Sequence, residues 1–213
     1  MARSFDNWED ARPFIFPKVD RPDAVLSDLC VTPELGVDLV LRVGGTDVPI
    51  HPNTLEQWGV SSLDAATAAV ANLRAVATED IEWLEVPSSP SLLALYAPDG
   101  DAASRILVLE SLLEVPLAGV LVAMPTRKQL VAMPLHEYDD LQDLPTLVLG
   151  AQLAARASNR PLSTQLFFFD GQGWTTLHVR DEPGETEILP SPGLAAALEV
   201  LAAQSLAPAV AEA

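Results

Sequence analysis

Cysteine is almost absent: Cys30 stands alone among 213 residues, so no internal disulfide can form and the thiol content gives no sign of an oxidising compartment. Histidine is scarce too. His51, His136 and His178 lie far apart and lack the short spacings with which a helix or turn presents metal ligands, so each is expected to be structural or superficial, with no metal and no cofactor. Basic side chains number 12 against 30 acidic ones, and a formal charge of -18 repels phosphate backbones and anionic lipid headgroups. No nucleic acid and no membrane is therefore expected as a partner, and the default role of such acidity is a solvated surface. Apolar runs of membrane length are missing as well, since the longest, residues 106–125, is broken by Glu110, Glu114 and Pro116. The first ten residues hold Asp6, Glu9 and Asp10 and no apolar stretch, which does not fit a secretory signal; a cytoplasmic location is expected.

Motifs of known chemistry are incomplete where they begin. Asp99-Gly100-Asp101 opens like a calcium loop but lacks the later ligands and the closing glutamate. Ser104 beside Arg105 suggests a nucleophile next to an anion clamp, yet no Gly-x-Ser-x-Gly elbow surrounds it. The glycines of Gly44-Gly45 and Gly171-Gln172-Gly173 belong to turns between strands, not to a strand-to-helix loop that cradles phosphate. His136-Glu137-Tyr138-Asp139-Asp140 places an imidazole near three carboxylates, a set suited to acid/base work or a hard cation; an acid-rich helix N-terminus is the simpler reading.

What is present is a composition that folds, with 49% hydrophobic and 20% charged residues. Residues 37–43 and 47–50 flank a Gly-Gly-Thr turn and predict a hairpin. A helix follows, capped by Ser61 or Ser62, with Leu63, Ala66, Val70, Leu73 and Ala77 at helical intervals as its apolar stripe. Strands are expected at 81–86 and 92–97, a helix over 102–114, and a second hairpin at 119–124 and 129–133 whose tip holds Arg127 and Lys128. Residues 138–158 predict a helix interrupted at Pro145, residues 165–169 and 174–179 a third hairpin, and residues 193–205 a last Ala- and Leu-rich helix. Hairpins alternating with helices predict an α+β fold, a mainly antiparallel sheet with helices packed on one face. Residues 1–36, rich in proline and without a sustained period, are expected as an arm, 37–180 as the α+β domain, and 181–213 as a linker and terminal helix.

The segments Phe14 to Lys18, Leu39 to Arg42, Trp58 to Ser61 with Ala69 to Arg74, Asp101 to Leu107, Val120 to Arg127 and Pro161 to Phe167 occur in an order that resembles the YtpQ-like family of bacterial proteins of unknown function. The resemblance spans roughly residues 12–180. It implies a fold and a cytoplasmic bacterial origin, and it carries no catalytic residue and no activity.

Candidate binding positions are few. Arg127 and Lys128 are the only adjacent basic pair, and with Arg105 or Arg160 nearby they form a local anion site in an acidic protein. Phe167-Phe168-Phe169 must send side chains to both faces of its strand, so Phe168 or its neighbours need a cover, either the N-terminal arm or a partner. The leading expectation is a non-enzymatic module that binds another protein through its acidic surface or the sheet face around Phe168. A hydrolase-type enzyme assembled from His51, His136, Asp101 and Arg105 is the rival, and a small-ligand module with an apolar pocket is the third possibility.

Overall fold

The computed structural model describes residues 5–79, 81–182 and 185–206. Sheets are antiparallel throughout their pairings and helices pack against them, an α+β fold. The chain divides into two compact units, one made of residues 1–81 and 98–113, the other of residues 82–97 and 114–213.

In the first unit a short helix, α1 (Trp8–Ala11), leads into β1 (Ile15–Asp20), and β2 (Cys30–Thr32), β3 (Leu35–Val43) and β4 (Thr46–Pro49) complete a sheet around β3. The segment expected as an arm thus supplies strands. Its prolines sit where they cost little: Pro13 and Pro22 open 3-10 turns, and the side chains of β1 alternate buried and half-buried. Trp58-Gly59 stands ahead of a helix, as the sequence places it, and also closes an earlier one. α2 (Pro52–Trp58) starts on a proline and ends at Gly59, whose φ of 68° lets its N–H return to the carbonyls of Leu55 and Glu56.

Ser61 then caps α3 (Ser62–Val76), its Oγ accepting the Asp64 N–H at 3.1 Å. The buried face of α3 is Ala65, Ala68, Ala69 and Leu73, rotated from the stripe the sequence suggests, and Leu63 points outward. Asn72 sets that rotation: its side chain donates to the carbonyls of Arg12 and Ile15 at 2.7 and 2.8 Å, which ties α3 to the start of β1 through its small-residue face. Trp58 packs with Trp8, Ile15, Leu39 and Leu55 in the core between them. The helix expected over 102–114 is a 3-10 helix, Ala103–Ser111, kinked at Val108.

The second unit is built on β5 (Glu82–Val86), β6 (Ser89–Tyr96), β7 (Val120–Thr126), β8 (Gln129–Pro134), β9 (Leu166–Phe169) and β10 (Trp174–Leu177), in the order β10-β9-β7-β8-β6-β5. A 3-10 turn, Tyr138–Asp143, runs into α4 (Leu144–Ala157), with Pro145 in the first turn where its missing N–H leaves no bond broken. The expected linker at 181–185 falls instead in a hairpin, β11 (Val179–Glu182) with β12 (Glu185–Ile188); residues 183 and 184 lie outside the described residues. α5 (Pro192–Leu206) follows.

Leu166, Phe168, Leu121, Ala123 and Met133 form one sheet face, and α4 and α5 contribute Leu147, Val148, Leu194 and Leu201 to the same core. Gly119 permits this packing. Its φ is 84°, and a Cβ there would lie 2.5 Å from the Phe169 carbonyl and 2.7 Å from the Phe168 ring.

Candidate functional site

The sequence-predicted positions separate into a partly buried ionic cluster, a basic turn and a core residue. Arg42 and Asp47 are register partners across the β3–β4 turn, so their opposite charges meet, with Nε to Oδ1 at 3.0 Å. Lys18 on β1 reaches the other oxygen of Asp47 at 3.0 Å. Arg42 also contacts Asp99 at 3.3 Å and Asp101 at 3.4 Å, and its guanidinium lies 4.7 Å over the Phe16 ring. Arg105 donates to the Asp99 carboxylate at 2.7 Å and to the Asp101 carbonyl at 2.9 Å, while its Nε is buried without a partner. Ser104 Oγ donates to Asp101 at 2.8 Å and accepts the Val19 N–H at 3.0 Å.

The charges in this cluster offset one another: Lys18, Arg42 and Arg105 face Asp47, Asp99 and Asp101. Burial works against ionisation of Asp47, and hydrogen bonds from Arg42 and Lys18 outweigh it, holding the carboxyl below its usual range. Asp101 is shifted the other way, because burial dominates over the Ser104 hydrogen bond and the Arg42 charge. Asp101, Ser104 and Arg105 are all buried. The hydroxyl is committed at both its donor and acceptor functions and has no imidazole beside it, so the arrangement supplies no activated nucleophile. Its physical effect is to tie β1, β3 and the segment 99–105 together. Arg105, expected as a binding residue, is an internal tie and not a surface.

Phe168 requires the same correction. It is 1% exposed and lies against Gly119 and Gly193, so the first turn of α5 covers it and neither the N-terminal segment nor an open patch is involved. Arg127 and Lys128 do occupy the β7–β8 turn, half-buried and exposed respectively. The Leu162 and Ser163 N–H groups donate to the Pro125 and Met124 carbonyls at 2.8 and 3.2 Å and lay the loop after α4 against this turn. Burial first, and the charge of Arg160 second, lower the Arg127 pKa, so Arg127 and Arg160 share one neighbourhood. His51, His136 and His178 are exposed, and among the described residues no group of three His, Cys, Asp or Glu is placed to hold a metal ion.

The surface that sequence reasoning missed is the outer side of α4. No charged side chain occurs from Leu144 to Ala155 in a protein that carries -18 overall. Leu147, Val148, Ala151 and Ala155 enter the core, while Pro145, Thr146, Leu149, Gly150 and Leu153 face outward, the two leucines each 55% exposed. A helix apolar on all sides belongs inside a protein or an interface. On one flank a groove of 450 Å³ runs between α4 and Ile188, lined by Leu141, Leu144, Pro145, Leu149 and Gln152. On the other a smaller groove of 180 Å³ separates Gly150 and Ala154 from Val86, Leu92 and Val131.

The second groove exists because the helices cover only half of the sheet. One row of register partners runs Leu177, Leu166, Ala123, Val131, Ala94, Leu84 from β10 to β5. The first three are buried, the next two half-buried, and Leu84 on the edge strand is 45% exposed. The uncharged run in α4 was a readable signal for this surface; the uncovered half of the sheet was not. No described helix is long and apolar enough to cross a membrane. No family model, no curated protein and no solved structure matches the chain.

Proposed function

We propose that this chain is a non-enzymatic protein-interaction module of the cytoplasm whose contact surface is the outer side of α4 with its two flanking grooves. One observation carries the reading: Pro145, Thr146, Leu149, Gly150 and Leu153 form an uncharged exposed strip on a strongly acidic chain. Leaving such a strip in water forfeits the roughly 25 cal/mol per Å² that its burial would return. The closed ionic cluster supports the same reading, because Asp101 and Arg105 are spent on holding strands together. An exposed, unpaired Cys30 fits a reducing compartment. The resemblance to YtpQ-like proteins adds a bacterial origin to this proposal and no activity. The 450 Å³ groove favours a small apolar ligand as second reading, since its volume falls in the range of ligand sites and Gln152 offers one polar contact.

The test is affinity capture from the source organism with the native chain and with a Leu149→Lys/Leu153→Lys variant as baits. A protein recovered in stoichiometric amount with the first and lost with the second is the expected result. Recovery of the same proteins with both baits overturns it.

A further inference from the structure

We infer that the partner on α4 is a second copy of this chain, the two α4 helices lying antiparallel across a two-fold axis that passes between Leu149 and Gly150. This rests on the reading of α4 as a contact surface and goes further by naming the occupant. The distribution of residues about that point carries it. Counted along the sequence from that point, Thr146 stands opposite Leu153 and Asp139 opposite Arg160. The exposed apolar strip is thus centred on the axis, with acidic groups before it and basic groups after it. In an isologous interface each contact occurs twice, so one copy's acidic end meets the other's basic end on both sides.

The two ends are real charge clusters in space. Asp139 is exposed and Asp140 and Asp143 are half-buried at the start of α4. At its far end Arg160 lies beside the turn that carries Arg127 and Lys128, held there by the Leu162 and Ser163 backbone bonds.

Gly150 supplies the second observation. It sits mid-helix and exposed, its φ is not in the left-handed region, and a Cβ added there would meet nothing within 4 Å. Nothing among the described residues explains a residue that weakens a helix relative to alanine. At a two-fold axis it does have a role, because a missing side chain lets two helix backbones come to the short end of the 8–10 Å packing range. Leu153 of each copy then enters the smaller groove beside Thr146 and Gly150 of the other.

Light scattering and sedimentation equilibrium of the full chain over a dilution series test the arrangement. The native chain is expected to be a dimer that dissociates on dilution, and Leu153→Arg to be a monomer whose circular dichroism is unchanged and whose melting matches that of the native chain at dilutions where the native dimer has dissociated. Asp139→Arg alone and Arg160→Asp alone should each weaken the dimer about tenfold, and a chain carrying both should recover it, since the pair is then merely reversed. A native chain that is monomeric at every concentration overturns the inference, as does a dimer indifferent to Leu153→Arg or single swaps with no recovery in the combined chain. Should the native chain be monomeric while capture still finds a partner sensitive to Leu149→Lys/Leu153→Lys, α4 remains the contact surface and only the second copy falls.

Discussion

Ser104 shows how much a single side chain does when it is enclosed. Its hydroxyl satisfies the Val19 N–H of β1 and the Asp101 carboxylate at once, both out of reach of water. Ser104→Ala leaves that donor and that acceptor unpaired, and a loss of about 1–3 kcal/mol is expected in chemical denaturation. Asp47 sets a pH dependence whose sign follows from its depressed pKa. Relative to an unfolded aspartate near 4, its contribution to stability is fully present above that value and is lost as pH falls through the lower folded value. Asp101, with a raised pKa, acts oppositely: what it contributes is present below the unfolded value and lost as pH rises through the folded one. Asp47→Asn should therefore be less stable than the native chain at neutral pH, with the two denaturation midpoints converging below about pH 4.

Two glycines separate what an element tolerates from what it requires. Gly150 lies in ordinary helical backbone with open space around it, so Gly150→Ala should raise the stability of the dissociated chain by up to about 1 kcal/mol. Gly119 lies at positive φ against the Phe169 carbonyl and the Phe168 ring, and neither the backbone nor the buried ring can retreat. Gly119→Ala should destabilise by several kcal/mol, about 3 or more, because strain and overpacking add. Thermal melting of the two variants side by side distinguishes an element glycine that the fold needs from one that it does not. Helix ends repeat the lesson: Gly59 is needed to stop α2, and Ser61 to start α3 two residues later.

At the scale of the molecule, α4 stands out because it carries no acidic side chain from Leu144 to Ala155 in a chain that has thirty. Net charge of this size keeps copies apart at long range, and screening in physiological salt limits that repulsion to about 8 Å. Leu149 and Leu153 touch water more than protein, so Leu149→Lys/Leu153→Lys should change the folding stability of the dissociated chain by no more than about 0.5 kcal/mol while raising solubility. A large loss of stability in that variant, measured by denaturant titration, would show that both leucines serve the core of their own unit.

The sequence by itself determined the α+β class, the β3–β4, β7–β8 and β9–β10 hairpins, and a helix cap at Ser61 or Ser62, because turn chemistry and capping act between residues a few positions apart. The same locality explains what it left open. Residues 15–20 read as an arm since a strand beginning Ile-Phe-Pro-Lys has no period of its own, and only pairing with β3 makes it β1. The burial of Phe168 under α5, the closure of Arg42, Asp99, Asp101 and Arg105 into one cluster, and the half-covered sheet beside α4 all join segments distant in the chain. Such contacts depend on where whole elements come to rest, and that was decided by tertiary packing.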